Sequence, residues 1–445
     1  MYAIIGAGPM GLAAARQLQR YAIPFVGFEQ HSSVGGLWDI ANPHSTVYES
    51  AHLISSKGTT EFREFPMRAD VAPYPSHREV AGYFRDYAEH FGLHAHYRFN
   101  TRVLRVTPQA RGWTLLSECN GEQREWQFDG ILIATGTLHT PNSGDLPGHF
   151  SGELLHAAQY KSVAQLAGKR VLIVGCGNSA CDIAVDAVHQ ASAVDLSVRR
   201  GYYFLPKFIM GRPTDTLGGA VKLPGRLKQW IDGLLVRALI GKPSQYGLPD
   251  PDYRLYEAHP VMNSLVLHHL AHGDITPRGD IRAVHGHQVT FADGSQADYD
   301  LILQATGYRL DYPYIARSEL NWPADADAPQ LYLNVFHPQR DDLFMLGMIE
   351  ASGLGWQGRA EQAELVALAI RQQLDGSASA RRLRQTAAAR ATQRVDGGYR
   401  YLKLARMAYY VHKDSYRQAL RRHSTELRED LATPPQPEEQ THAQR

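Results

Sequence analysis

Residues 171–180 read Val-Leu-Ile-Val-Gly175-Cys176-Gly177-Asn178-Ser179-Ala180: an apolar run, two glycines one residue apart, then a helix-compatible continuation with a small residue three further on. This Gly-x-Gly-x-x-Ala spacing is a dinucleotide fingerprint. One glycine makes the tight turn out of a strand, the next lets backbone approach a pyrophosphate, and the small third residue lets helix close on strand. The pyrophosphate of such a ligand lies at the helix N-terminus, where N–H groups and the dipole favour an anion. A single match is weak, because glycine-rich turns are common. An earlier copy stands 169 residues upstream, where Ala3-Ile4-Ile5 runs into Gly6-x-Gly8-x-x-Gly11. Two copies predict two nucleotides bound face to face by two related α/β units.

The segments downstream of the two fingerprints match as well. After the first, the period becomes two at RVLRV (102–106), GWTLLSE (112–118) and REWQFDG (124–130), a β-meander whose last turn is Asn120-Gly121. It closes on an apolar strand and Ala134-Thr135-Gly136. The second unit has a meander turning at Asp293-Gly294, then Leu301–Gln304 and Ala305-Thr306-Gly307. Gly6 lies 129 residues before Thr135, and Gly175 lies 131 before Thr306. Near-equal spacing marks duplicated architecture. The predicted fold class is therefore α/β, with two Rossmann-like dinucleotide-binding domains, each carrying an inserted β-meander.

Within this frame Tyr2–Gly6 is a buried strand, Met10–Arg20 a helix, Phe25–Phe28 a strand and Arg78–Phe91 an amphipathic helix. Phe344–Leu374 reads as strand, glycine-rich turn and helix returning to cover the first nucleotide. The first domain is placed at 1–155, completed by about 310–431, and the second at 156–309 with an insertion at about 207–273. In that insertion Leu227, Trp230, Ile231, Leu234, Leu235 and Ala238 form an apolar stripe of helical period, expected in the core. The polar, proline-bearing stretch 432–445 is expected to be disordered.

Composition narrows the function. Lys+Arg 46 against Asp+Glu 45 gives a formal charge of +1, which implies no nucleic-acid partner. No run reaches the ~20 apolar residues of a membrane span, so no membrane partner is expected. The strand beginning at Tyr2 leaves no room for a signal peptide. Three cysteines suggest a reducing compartment, and together these features predict a soluble, cytoplasmic protein.

The two units differ where each second strand ends. Glu29 follows Phe25–Phe28, 23 residues after Gly6, the place of an acid that accepts from ribose hydroxyls. The second unit has Arg199-Arg200 there, 24 and 25 residues after Gly175. Guanidinium matches a 2′-phosphate bidentately. FAD is thus assigned to the first unit and NADPH to the second. Cys119 lies in the meander, while Cys176 and Cys181 flank the second fingerprint, so no cysteine pair sits where a dithiol mechanism needs one. No metal-ligand spacing stands out, and His268, His269 and His272 read as a helix surface.

Phe150-x-Gly152-x-x-x-His156-x-x-x-Tyr160, lying between the two fingerprints, resembles the identifying motif of flavin-containing monooxygenases. Gly35-Gly36-Leu37-Trp38, Glu29-Gln30, Arg199-Arg200 and Ala305-Thr306-Gly307-Tyr308 add to the resemblance, which spans about Tyr2 to Leu374. It implies a glutathione-reductase-like flavoprotein in which NADPH reduces FAD. O₂ then forms a flavin C4a-hydroperoxide that oxygenates an amine nitrogen or a sulfide. Carried over, Gly6, Gly8, Pro9, Gly11, Glu29, Gln30, Leu37, Trp38 and His44 would line FAD, with Val103 at the adenine end. Gly175, Gly177, Asn178, Ser179, Arg199 and Arg200 would hold NADPH. His156 is assigned to the domain junction, and no catalytic side chain is singled out. The expected partners are a small-molecule substrate, O₂ and a second copy in a homodimer.

One departure stands out. The family carries Asn twelve residues before the Pro of its Phe-x-x-Phe-Pro segment, and counting back from Pro66 gives Ile54, with Ser55 and Ser56 next. Either a serine substitutes or peroxide stabilisation is weakened. Two other readings stay open. A Baeyer–Villiger monooxygenase acting on small ketones is one, although those enzymes carry Trp where this chain has Tyr160. A nucleotide-binding, redox-sensing protein that does not oxygenate is the other.

Overall fold

In the computed structural model, which describes residues 1–217 and 225–431, each fingerprint strand is the middle strand of a five-stranded parallel sheet. The first sheet runs Leu343–Met345, Gly130–Ile133, Tyr2–Ile5, Phe25–Phe28, Tyr97–Arg98. The second runs Glu153–His156, Leu301–Gln304, Arg170–Val174, Ala193–Ser197, Ile275–Arg278. Four strands of each sheet follow the same order around the fingerprint strand, while the edge strand is the last in the chain in the first sheet and the first in the chain in the second. The chain leaves the central strand towards one side and returns from the meander on the other, which opens a crevice at its carboxyl end. Covered on both faces, Tyr2–Ile5 and Gly130–Ile133 are buried at every position, as their unbroken apolar runs require.

The meanders form where alternation placed them. Thr101–Pro108, Trp113–Cys119 and Glu122–Phe128 pair antiparallel. Asn120 (φ 51°) and Gly121 (φ 83°) both take the left-handed turn that joins Cys119 to Glu122. The expected division at 155/156 falls inside a strand. Glu153–His156 pairs parallel with Leu301–Gln304, and Gly148–Phe150 pairs with the second meander, so the handover lies before residue 148. In the other direction, Leu343–Met345 returns to the edge of the first sheet against Ile131–Ile133.

The helix expected at Arg78–Phe91 spans His77–His90. A capping box sets its start: the Ser76 N–H donates to Glu79 Oε2 at 2.7 Å, while Glu79 N–H donates back to Ser76 Oγ. Its Tyr83, Phe84 and Tyr87 pack around Phe62 and Trp356, joining it to the helix Gly355–Leu374.

The insertion stripe corrects the sequence reading. It does form a helix, Gly225–Ile240, but Trp230 (64% exposed), Leu234 (50%) and Leu235 (56%) face outward. Polar residues dock the helix instead. Buried Gln229 donates to Leu255 O at 2.8 Å, and the Tyr256 hydroxyl donates to Asp232 at 2.7 Å. Periodicity identifies an apolar face, yet which face meets the protein depends on partners distant in sequence. The stretch 432–445 lies outside the described residues.

Candidate functional site

The first cradle is built by backbone proximity. Gly6 adopts φ +106°, and a Cβ there would stand 2.8 Å from Ala134 O. A Cβ on Gly11 would sit only 1.8 Å from Gly6 O, so helix and turn touch without side chains between them. Pro9 occupies the first turn of the helix Pro9–Arg20, whose N-terminus has no side-chain cap. An uncapped helix start of this kind favours an anion. Glu29, 7% exposed, accepts from Ala7 N–H at 2.7 Å and His31 N–H at 2.9 Å. Burial raises its pKa against the pull of those donors. The carboxylate is thereby fixed beside the turn. Thr101 N–H donates to Glu29 O, bringing the strand that carries Val103 alongside.

The second cradle repeats the first. Gly175 takes φ +119°, and its Cβ would stand 2.6 Å from Ala305 O. Gly177 caps the helix Asn178–Ala187 with the same extended backbone that Gly8 shows, again without a side-chain cap. Ala134 N–H donates to Ile5 O and Ala305 N–H to Val174 O, both at 2.9 Å. The duplicated Ala-Thr-Gly segments are therefore the strand ends that press on each fingerprint turn. Arg199 projects from the strand end into solvent, and the Arg200 guanidinium lies 5.4 Å from the centre of the Tyr202 ring.

The motif between the fingerprints stitches the units together. A Cβ on Gly152 would lie 2.6 Å from both Asp300 O and the Phe150 ring, which accounts for the Phe-x-Gly pair. His156 is buried, which lowers its pKa, and its Nδ1 accepts from Ala158 N–H. Its ring meets the Tyr308 edge at 5.4 Å. Fully buried Tyr160 donates to Asp186 at 3.1 Å and packs on Tyr48, which donates to Asp182. Lys161 Nζ donates to Ser45 O and Val47 O of the first unit.

Comparison with known proteins agrees with this duplicated site. Residues 1–415 match the family model described as flavin-binding monooxygenase-like. The chain belongs to that family. Human flavin-containing monooxygenase 5 is 30% identical over 380 residues, covering 79% of this chain and 69% of the human protein. The probable indole-3-pyruvate monooxygenase YUCCA9 of Arabidopsis thaliana is 30% identical over 323 residues, 70% of this chain and 75% of that protein. Among solved structures, S-allyl-L-cysteine S-oxygenase of Allium sativum superposes with TM-score 0.66 at 20% identity, covering 95% of this chain and 88% of its own. A cyclohexanone monooxygenase mutant from Rhodococcus sp. Phi1, bound to NADP⁺, gives 0.69 at 19%, covering 94% and 96%. The likeness to both is one of fold. The protein is a FAD- and NADPH-dependent monooxygenase.

In this monooxygenase the remaining expected residues are spread over both units. The one-turn helix Gly36–Trp38 packs against it, since a Cβ on Gly36 would come within 3.0 Å of Gly8 Cα. Leu37 and Trp38 reach the core of the second unit, and Trp38 also meets Trp356, so this turn lies where the two units join. Gln30 and His44 are exposed. Asn178 turns its Oδ1 to Met262 N–H at 2.7 Å, and Ser179 lies beside Tyr48. Cys176 and Cys181 are buried, 3.9 Å apart and unbridged. His269 pairs with Asp274, and no group of three His, Cys, Asp or Glu is placed to hold a metal among the described residues. No described helix is long and apolar enough to cross a membrane.

Around Ile54 the two serines take different partners. Ser55 Oγ pairs with Thr60 Oγ1 at 2.6 Å. Ser56 donates its N–H (2.7 Å) and its hydroxyl (3.0 Å) to Asp215 Oδ2 in the insertion. Asp215 Oδ1 is buried without a protein partner. Nothing in the sequence near Asp215 signalled that contact. A second unforeseen group lies beyond the last strand of the first sheet. Buried Glu350 pairs with Arg406 at 3.0 Å, with Arg359 and His259 beside it. Burial raises the Glu350 carboxyl, but the two arginines outweigh it and hold the group ionised. His259 is pushed down to about 3, chiefly by burial.

Proposed function

We propose that this monooxygenase oxygenates soft nucleophiles, an amine nitrogen or a sulfide sulfur, with FAD in the first cradle and NADPH in the second. The observation that carries the assignment is the mirrored pair of uncapped helix N-termini, one ending beside a buried acid and the other beside two arginines. Both cradles fit a dinucleotide, because the positions nearest each helix start are backbone held bare by Gly6, Gly8 and Gly11 or by Gly175 and Gly177. Glu29 accepts from the ribose of FAD, and Val103 borders its adenine. Arg199 and Arg200 receive the 2′-phosphate of NADPH. Bound FAD, once reduced by NADPH, supplies the activation of O₂.

The protein's part is orientation and exclusion of water. Tyr48 and Lys161, with Tyr160 packed on Tyr48, hold the two cradles in one relative position. Charge developing beside the reacting oxygen is best held where water is excluded and donors are fixed. The amine or sulfide reading is supported by kinship with relatives named for such reactions, among them rabbit dimethylaniline monooxygenase [N-oxide-forming] 2, 28% identical over 376 residues. Tyr160, where the resemblance places Trp in Baeyer–Villiger enzymes, also supports it over ketone oxidation. The three free thiols support a reducing, cytoplasmic setting.

The test is NADPH consumption measured against oxygenated product with tertiary amines, thioethers and cyclic ketones. Stoichiometric N-oxide or sulfoxide is expected. Ester formation from ketones alone would replace this reading with Baeyer–Villiger chemistry. NADPH consumption yielding H₂O₂ with every substrate would replace it with a non-oxygenating role.

A further inference from the structure

The helix Gly225–Ile240 wears its apolar side outward. Of the twelve large apolar side chains exposed among the described residues, eight fall between Phe208 and Leu239, which makes this insertion the apolar face of the molecule. Trp230, Leu234, Leu235 and Leu239 are each at least half exposed on the helix, and Met210, at a hairpin tip, is 97% exposed. Monomeric soluble proteins rarely concentrate apolar surface in this way without using it.

The charge around this face is just as uneven. Between Lys207 and Lys242 the sequence holds seven Lys or Arg against two Asp, although the whole chain is balanced to +1. Both acids are turned inward: Asp215 receives Ser56, and Asp232 receives Tyr256 and Lys228. Helical spacing of 3.6 residues per turn sets Arg237 two turns after Trp230 and Lys228 two turns before Leu235. Exposed Arg237 therefore flanks one edge of the apolar strip and exposed Lys242 follows its end, while Lys228 at the other edge is paired with Asp232.

We propose that this face docks peripherally on a bilayer surface rich in anionic lipid, with the helix lying in the plane of the interface. An outward apolar strip with Trp, flanked by basic residues, is the pattern of an interfacial helix rather than a spanning one. Clusters of four to eight Lys or Arg beside such a strip select anionic headgroups. A second copy on the same face would set like charges against one another across a two-fold axis, with exposed Asp250 the one acid beside Arg237 and Lys242 among the described residues.

The test is co-sedimentation of the holoenzyme with vesicles of phosphatidylcholine alone, or with about 30% phosphatidylglycerol, beside the size-exclusion profile of each variant. The wild type should pellet with the anionic vesicles only and release in high salt. At about 1 kcal/mol per basic side chain near the surface, Arg237→Gln with Lys242→Gln should weaken partition about 30-fold. Trp230→Gln with Leu234→Gln should abolish it while bound flavin and melting temperature stay unchanged, because those side chains already meet solvent. No partition of the wild type onto either vesicle would overturn the proposal, as would binding indifferent to both double variants. A dimer that dissociates in the Trp230→Gln, Leu234→Gln protein, without vesicle binding by the wild type, would assign the face to a second copy.

Discussion

Replacing Gly11 with Ala should remove FAD, and the structure gives the size of the effect. The added Cβ would lie 1.8 Å from Gly6 O and 2.7 Å from Gly6 C, both backbone atoms of the turn that defines the first cradle. Reaching even a 3.0 Å contact requires helix and turn to part by at least 1.2 Å. Overpacking of this kind costs about 1–3 kcal/mol. Helix propensity works the other way, favouring Ala by about 1 kcal/mol, so a net loss would isolate the steric term. The displaced groups are the N–H donors at the helix start, so FAD affinity should fall about 5- to 150-fold. The assay is the ratio of flavin to protein absorbance after gel filtration, with the melting temperature of the apoprotein measured alongside. Gly8→Ala is the control. Its Cβ meets nothing nearer than Gly36 Cα at 3.7 Å, so the apoprotein should melt as the wild type does. That variant should nonetheless lose flavin, because only the pyrophosphate approaches there. Full flavin occupancy in Gly11→Ala, with an unchanged melting temperature, would refute the reasoning.

Two further outcomes are expected, from the second cradle and from the buried histidine. Arg199→Ala should raise KM for NADPH about 10- to 100-fold, the loss of about 1.5–3 kcal/mol of charge-assisted contact, and leave KM for NADH nearly unchanged; equal effects on both cofactors would remove the arginine from the 2′-phosphate. His259 stays neutral in the folded protein down to about pH 3, whereas in the unfolded chain it protonates near the usual 6.5, so its contribution is constant above pH 6.5 and stability is lost as pH falls from there towards 3. At pH 5 that loss is about 2 kcal/mol, and His259→Gln should flatten the pH dependence of urea unfolding over this window, while an unchanged slope would place the proton uptake on other groups.

Much of this site was legible in the sequence because its determinants are local. A glycine at positive φ followed by a glycine-capped helix needs only a few consecutive residues, so Gly6–Gly11 and Gly175–Ala180 announced both cradles. The end of the second strand lies a fixed distance on, which made Glu29 and the Arg199-Arg200 pair readable by counting. The near-equal spacing to the two Ala-Thr-Gly segments has its cause in the fold. In each unit the strand returning from the meander pairs with the fingerprint strand and presses its alanine carbonyl on the first glycine.

The tertiary structure alone decided what depends on contacts between distant segments. Ser56 meets Asp215 across 159 residues, and Glu350 meets Arg406 across 56, with no motif at either end. The insertion helix shows the limit most plainly. Its period, and so its apolar strip, belong to the sequence. Whether that strip faces in or out was settled by Gln229 and Asp232, which found Leu255 and Tyr256 further along the insertion and turned Trp230 and Leu234 towards solvent. Periodicity specifies a helix's faces, but orientation is set by which face can satisfy its buried polar groups, and those partners lie elsewhere in the chain.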